Sequence, residues 1–328
     1  MPTIQFDNRA HELQPEESVL ECLLRNGHII PNSCRAGACQ ACLVRSTSGT
    51  PPTLSSQSLK STLSSQGYFL SCICRPDIDL HVELAGAGVR VPAKVASIAA
   101  LSHDVALVRI KAPTGFEYRA GQYVTLIRPD GLARSYSIAS LPTSIEDTLD
   151  LHVRRIPRGA FSNWLHDEAR PGDPIQLQGP AGSCFYADTP PEQPMLLAGT
   201  GTGLAPLFGI LQDALRHGHS GPIWLFHGAL TSQGLYLREE LQALAEQHPN
   251  FRYVAAVLNH LSPEPNDNIQ IGLLADVIAQ AHPKLKGWRG FVCGDPGIVG
   301  TLKMKFFLAG MPSREIFADA FLLSASTA

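Results

Sequence analysis

Cys34-Arg35-Ala36-Gly37-Ala38-Cys39-Gln40-Ala41-Cys42 is the stretch from which the chain is best read. Its spacing is C-x4-C-x2-C, and two further cysteines, Cys72 and Cys74, follow after residues 43–71. Three thiols close in sequence and a fourth brought in from a distance form the ligand pattern of a plant-type [2Fe–2S] centre. Such a loop must be tight. Gly37 and the small residues Ala36, Ala38 and Ala41 allow that and let backbone N–H groups turn toward the sulfurs. A zinc site usually pairs C-x2-C with a second short pair, and Cys72-Ile73-Cys74 is a poor partner for it. Disulfides suit small secreted domains, whereas this chain has 328 residues and half of its eight cysteines in one group.

The surroundings of the loop read as a small α+β unit over residues 1–85. Residues 3–6 begin a strand. Ser18 with Glu21 three positions later is a capping box, predicting a helix over 19–26 that Gly27 ends. Cys22 lies on that helix among Val19, Leu20, Leu23 and Leu24 and reads as core. Residues 78–84 alternate with period two and predict a half-buried strand. The Ser-, Thr- and Pro-rich run 47–65 reads as loop.

Composition narrows the function classes. Charged residues make up 17% of the chain, the net charge is −3, and there is no basic run, so nucleic-acid binding has no electrostatic support. No stretch approaches 18 uninterrupted apolar residues, so no membrane span is expected. The start of the chain is unlike a signal peptide, and a reducing, cytoplasmic setting suits the thiols Cys22, Cys184 and Cys293.

Residues 85–88 read as a linker. Beyond it come six short alternating strands near 94–98, 105–110, 123–127, 135–138, 149–153 and 175–177, interrupted by one helix over 161–169. That pattern predicts an antiparallel β-barrel. A second boundary falls at 188–194. The rhythm then becomes strand–helix–strand, with strands near 195–198, 223–226, 252–257 and 290–293 and helices near 204–216, 236–246, 273–281 and 298–308. Alternation of this kind predicts a parallel sheet covered on both faces.

Five short motifs lie in order along these two units. They are Arg134-Ser135-Tyr136-Ser137, Gly159-Ala160-Phe161-Ser162, Gly179-Pro180-Ala181-Gly182, the loop Gly199-Thr200-Gly201-Thr202-Gly203, and Cys293-Gly294-Asp295-Pro296. Taken singly, each has a structural explanation. Tyr136 suits a barrel core, Arg154 a solvated strand and Cys293 an inert buried thiol. The alternating glycines depart from G-x-G-x-x-G, although they follow a strand and open a helix.

In this order, residues 92–328 resemble the ferredoxin–NADP reductase superfamily of flavoproteins, and residues 1–85 resemble a plant-type ferredoxin. The whole chain is similar to the reductase components of bacterial oxygenase systems. The resemblance implies a multidomain chain: a β-grasp ferredoxin domain over 1–85, an FAD-binding barrel over 92–187 and an NAD(P)-binding α/β domain over 194–328. It also favours Cys72 over Cys74 as fourth ligand, because Pro76 then follows four residues later, giving the set Cys34, Cys39, Cys42 and Cys72. Arg134 would pair with a flavin phosphate, Tyr136 stack on the ring system and Ser137 bond near its N5. Arg154, with Arg155 as a rival, and Ser162 beside Gly159 would meet the pyrophosphate side. Gly199, Gly201 and Gly203 would let the dinucleotide approach the backbone, Cys293 and Gly294 border the nicotinamide, and Phe321 cover the other flavin face.

The implied activity takes a hydride from NAD(P)H onto FAD and passes single electrons through the cluster to a terminal oxygenase docked near residues 34–42. NADH is favoured over NADPH, because residues 228–234 carry no cation for a 2′-phosphate. A deoxysugar dehydrase as acceptor, or a non-catalytic redox sensor or scaffold, are the alternatives.

Overall fold

In a computed structural model of the chain the described residues are 1–86, 89–142, 147–187, 190–259 and 268–322. The expected linker and second boundary therefore lie partly outside them, at 87–88 and 188–189.

The first unit is built from β1 (Thr3–Phe6), β2 (Arg9–Glu12), α1 (Val19–Arg25), β3 (Leu43–Ser48), α2 (Ser61–Ser64), β4 (Tyr68–Leu70) and β5 (Leu80–Leu84). Asp7 and Asn8 both take positive φ, the backbone of a tight primed turn, and fold β1 onto β2. The sheet order is β2-β1-β5-β3-β4, with β1 and β5 parallel and β3 antiparallel to β5. The capping box forms as expected: Ser18 accepts the Glu21 N–H, and Glu21 accepts the Ser18 N–H at 2.8 Å. It aims α1 so that Val19, Leu20, Cys22 and Leu23 are buried. The 47–65 run is more ordered than its composition predicts. It holds the end of β3, a 3-10 turn at Thr53–Ser55 and α2. Here serine hydroxyls bond back to nearby carbonyls, as Ser55 does to Pro52 at 2.6 Å, and fix short local turns in place of longer regular elements.

The second unit contains β6 (Arg90–Ala100), β7 (Val105–Lys111), β8 (Tyr123–Ile127), β9 (Ala133–Ser137), β10 (Thr148–Arg154), α3 (Ala160–Asn163) and β11 (Pro174–Ala181). The order is β10-β7-β6-β11-β8-β9, and a bridge between Ile138 and Leu151 joins the two ends into a barrel. Val108, Leu126, Leu151, Val153 and Leu177 fill it. The helix continues past α3 as a turn of π-helix, Trp164–Glu168.

The third unit is β12 (Met195–Thr200), α4 (Leu204–Arg216), β13 (Ile223–Ala229), α5 (Arg238–Gln247), β14 (Phe251–Val257), β15 (Ile269–Ile271), α6 (Leu274–Ala281), β16 (Arg289–Gly294), α7 (Pro296–Leu308) and β17 (Ile316–Ala320). All six strands are parallel, in the order β15-β14-β13-β12-β16-β17. The edge strands β15 and β17 carry no long apolar run and were not expected. The chain leaves β12 for β13 on one side and reaches β16 on the other. This is a topological switch point, and ligand crevices open there at the carboxyl ends of the strands.

One cross-strand row joins the first two units. Arg90 of β6, Gln178 of β11, Thr125 of β8 and Ser135 of β9 stand opposite one another in register. Arg90 Nη2 donates to the Leu43 carbonyl at 3.2 Å, and Gln178 Nε2 donates to the Gln40 carbonyl. Thr125 Oγ1 donates to the Cys39 carbonyl at 3.2 Å, with Ser135 Oγ 2.9 Å behind it. Tyr123, two residues before Thr125, donates its hydroxyl to the Ala38 carbonyl at 3.1 Å. Ala41, Ile127 and Ala133 pack together beside the row.

Ser18→Ala removes a capping partner, worth about 1 kcal/mol at such a position. The expected outcome is a lower urea midpoint for loss of the first unit's structure, followed by circular dichroism, while Ser18→Asp holds the wild-type midpoint.

Candidate electron-transfer site

The cysteine loop reverses repeatedly. Arg35, Gly37 and Gln40 all have positive φ (52°, 73° and 60°). The reversals turn N–H groups inward. Ala36 and Cys39 each place an N–H 3.4 Å from Cys34 Sγ, and Cys34 places its own 3.4 Å from Cys39 Sγ. Gly37 directs its N–H at Cys72. A side chain at Gly37 would also strike Ile73, 2.7 Å from its Cδ1.

The thiols meet two by two. Cys34 bonds with Cys39, and Cys42 with Cys72. The Cys34 thiol is lowered to about 5, first by its bond with Cys39, while Cys39 is raised by the same bond. Cys72 is likewise lowered by Cys42, which is itself raised. Among the described residues no group of three or more His, Cys, Asp or Glu is placed to hold a single metal ion. Two thiol pairs ringed by inward N–H groups fit a two-iron cluster, two thiolates to each iron. Cys74 faces elsewhere: it is fully buried, bonded to Ser55 and pushed up to about 12 by burial.

Strand β9 divides its side chains between two faces. Ser135 and Ser137 share the face that meets the loop and the third unit; Arg134 and Tyr136 take the other. Arg134 lines a cavity of about 310 Å³ with Asn32, Arg35 and Leu132. Its guanidinium is held below the usual arginine value, chiefly by burial, and Arg35 adds repulsion. Two cations against the single carboxylate of Asp130 leave the lining of the cavity net positive, which fits an anionic group such as a flavin phosphate. Tyr136 is half-buried against the barrel core, its ring centre 5.9 Å from that of Phe161.

Ser137 Oγ lies 3.2 Å from Asp319 Oδ2. Asp319 stands opposite Cys293 in the β16–β17 register and gives its N–H to the Cys293 sulfur. Its carboxyl lies above the ordinary value because it is buried, although the Ser137 bond pulls the other way. The Cys293 thiol is pushed well up, first by burial, and its Sγ is 3.5 Å from that of Cys184. The Tyr123 hydroxyl is raised by burial first, then by Asp319, Cys39 and Cys34, which places it between the nucleotide sheet and the cysteine loop. Sequence reasoning missed Asp319 and Tyr123. Only Asp319 left a signal, as a lone acid within the apolar stretch Phe317-Ala318-Asp319-Ala320-Phe321.

The glycine loop lies at the switch point. The Cβ positions of Gly199 and Gly203 face the Cys293 backbone, so both glycines let β12 and α4 close onto the end of β16. Gly294, at φ 123°, packs the same way on Thr200. Gly201, at φ 53°, abuts the Arg154 guanidinium, with Nη1 2.9 Å from its Cβ position. Arg154 also pairs with Asp104 at 3.1 Å. It therefore sits on the glycine loop, and its rival Arg155 is tied to Asp167 at 2.6 Å. Ser162 accepts the Ile156 N–H at 3.1 Å and donates to the Gly159 carbonyl at 3.2 Å, bracing the turn before α3. Gly159 leaves room for that hydroxyl. Phe321 follows β17 directly and gives its N–H to the Gly294 carbonyl at 2.8 Å.

The comparisons with known proteins agree with this geometry. Residues 4–77 match the 2Fe-2S iron-sulfur cluster binding domain, residues 92–186 the oxidoreductase FAD-binding domain and residues 197–303 the oxidoreductase NAD-binding domain. The reductase component of the naphthalene 1,2-dioxygenase system of Pseudomonas putida is 33% identical over 97% of each chain. The reductase subunit of an aromatic O-demethylase of an Amycolatopsis species is 34% identical over 97% of this chain and 98% of its own length. The crystal structure of an Amycolatopsis cytochrome P450 reductase covers 98% of this chain and 99% of its own, with a TM-score of 0.67 and 31% identity.

The fold and site define an iron–sulfur flavoprotein reductase, an oxidoreductase that moves electrons from NAD(P)H through FAD to a [2Fe–2S] cluster. The chain belongs to the ferredoxin–NAD(P)+ reductase family of oxygenase reductase components. Among the described residues no helix is long and apolar enough to cross a membrane.

Two outcomes check the site. Cys72→Ser abolishes the visible absorption of the cluster, whereas Cys74→Ser keeps it. Asp319 has a folded pKa above its unfolded value, so the folded state is penalised as pH rises from the ordinary carboxylate range through the folded pKa, and the penalty is constant above. Asp319→Asn, which can still accept from Ser137, removes it. Thermal melts across pH then show the variant gaining on wild type as pH rises, and a variant that loses ground toward neutral pH contradicts the burial account.

Proposed function

We propose that the chain is the NADH-driven reductase component of an oxygenase system, working in the cytoplasm, where its cysteines, none of them in a disulfide, stay reduced. A bound flavin accepts an electron pair as hydride and releases electrons singly, which matches a nicotinamide donor to a one-electron cluster. The observation that carries the reading is the double duty of one barrel face. Ser135 backs the contact with the cysteine loop, and Ser137, two residues on, meets the nucleotide sheet through Asp319.

The residues divide the work. Arg134 holds the flavin phosphate, and Tyr136 lies along the ring. Ser137, oriented by Asp319, presents its hydroxyl near N5. No side chain needs to move a proton for hydride transfer. Cys293 and Gly294 border the nicotinamide, and the neutral Cys293 thiol adds bulk without charge. Gly201, with Arg154 against it, lines the path of the dinucleotide phosphates, and Gly199 and Gly203 shape the loop. Gly159 and Ser162 shape the turn on the pyrophosphate side. Phe321 covers the flavin face that the nicotinamide will take. Cys34, Cys39, Cys42 and Cys72 hold the cluster, with Arg35, Ala36 and Ala38 exposed for a docking acceptor.

The naphthalene dioxygenase and aromatic O-demethylase relatives support an oxygenase as that acceptor. NADH is preferred because residues 230–234, just past β13, carry no cation for a 2′-phosphate.

Steady-state reduction of cytochrome c, a surrogate acceptor, tests the reading. The expected kcat/KM for NADH exceeds that for NADPH by at least about tenfold, roughly one charge-assisted contact. Cys34→Ser loses cytochrome c reduction but keeps NADH–ferricyanide activity at the flavin. A preference for NADPH overturns the donor assignment, and full cytochrome c reduction by Cys34→Ser overturns the path.

A further inference from the structure

Arg90 is the first residue of β6, and only 8% of it is exposed. Its two hydrogen-bond acceptors are both neutral: Gln178 Oε1 at 3.0 Å and the Leu43 carbonyl at 3.2 Å. Among the described residues no carboxylate forms an ion pair with it. A buried guanidinium without a counter-ion is costly, and arginine does not escape that cost by losing its proton. Burial does pull its affinity for the proton down, and the one group that acts the other way is Cys42, which would be a thiolate when it holds the cluster. Leu43, whose carbonyl Arg90 holds, is the residue next to Cys42.

The cluster supplies the missing charge. A tetrathiolate [2Fe–2S] centre is a dianion when oxidised and a trianion when reduced. Reduction adds one electron, delivered from the flavin, and no proton is needed to balance it if a fixed cation faces the site. Arg35 also lies in the loop, but it is exposed and screened by solvent. Arg90 is buried, so its field is screened far less.

We propose that Arg90 is a fixed counter-charge of the cluster, a barrel residue that raises the cluster's reduction potential by stabilising the charge gained with the electron. The flavin unit thereby tunes the acceptor on which it discharges. The proposal rests on the cluster reading, which iron and sulfide analysis tests separately. A purified chain that takes up no iron and sulfide refutes that reading and the role of Arg90 with it, whereas a fully loaded chain whose potential ignores the Arg90 charge refutes only the latter.

The experiment is a spectroelectrochemical titration of the full-length, cluster-loaded protein. Arg90→Gln should make the cluster about tenfold harder to reduce, which is about 59 mV more negative for a one-electron couple. Arg90→Lys keeps a cation and stays closer to wild type. Gln178→Ala removes one seam hydrogen bond and the side-chain acceptor of Arg90 but leaves the charge, and should hold the wild-type potential. Gln178→Glu leaves Arg90 in place and cancels its charge, and should lower the potential as Arg90→Gln does. If Arg90→Gln does not retain its cluster, the two Gln178 variants decide the matter. An unchanged potential in Arg90→Gln, or equal shifts in Gln178→Ala and Gln178→Glu, overturns the proposal and leaves Arg90 a structural brace.

Discussion

The structure depends on what happens to the carbonyl groups of the cysteine loop. Turning successive N–H groups inward toward the sulfurs leaves carbonyls on the outer side of the loop, and buried carbonyls need donors. The loop has few of its own to offer. The flavin barrel provides them from a single row: Arg90 to Leu43, Gln178 to Gln40 and Thr125 to Cys39, with Tyr123 reaching Ala38 from the adjacent position. The geometry that makes a cluster site on one side of the loop therefore makes a docking surface on the other. Three of the four donors in these bonds are under 9% exposed, so leaving any of these partners unmade would cost more than the net worth of an ordinary hydrogen bond.

Strand alternation then distributes the chemistry. Ser135 and Ser137 face one way, the first backing the cysteine loop contact and the second bonded to Asp319 of the nucleotide sheet. Arg134 and Tyr136 face the other way, toward the cavity and Phe161. A slip of β9 by one residue would exchange the two sets and disconnect all three units. The glycines of the β12 loop play the matching part in the third unit. They bring α4 and the end of β16 close enough for Cys293, Asp319 and Ser137 to stand in line.

Much of this was legible in the sequence, and for identifiable reasons. Cysteine spacing reports ligand geometry directly, and the Ser18–Glu21 capping box is a local interaction that tertiary packing did not override. The helix Leu204–Arg216 begins and ends where its glycines and apolar period place it. What could not be read depends on register between distant strands. Arg90 sits between Val89 and Val91 like any residue at a strand start. Nothing local says that it faces Gln178 across a sheet and Leu43 across a domain seam. Strands β15 and β17 were missed because edge strands of three and five residues carry no periodic signal. The approach of the Arg154 guanidinium to Gly201 was not legible either, because it is a contact between two units that each look complete alone.

The central claim is that the seam positions the cluster for electron transfer without taking part in hydride transfer. Anaerobic stopped-flow with NADH tests it most directly in Thr125→Val/Ser135→Ala, a variant that keeps Ser137 and all four cysteine ligands. A positioning seam predicts that bleaching of the flavin band keeps its wild-type rate while the later bleaching of the cluster band slows by about tenfold or more. Cluster reduction at the wild-type rate in that variant, with the cluster fully loaded, would contradict it.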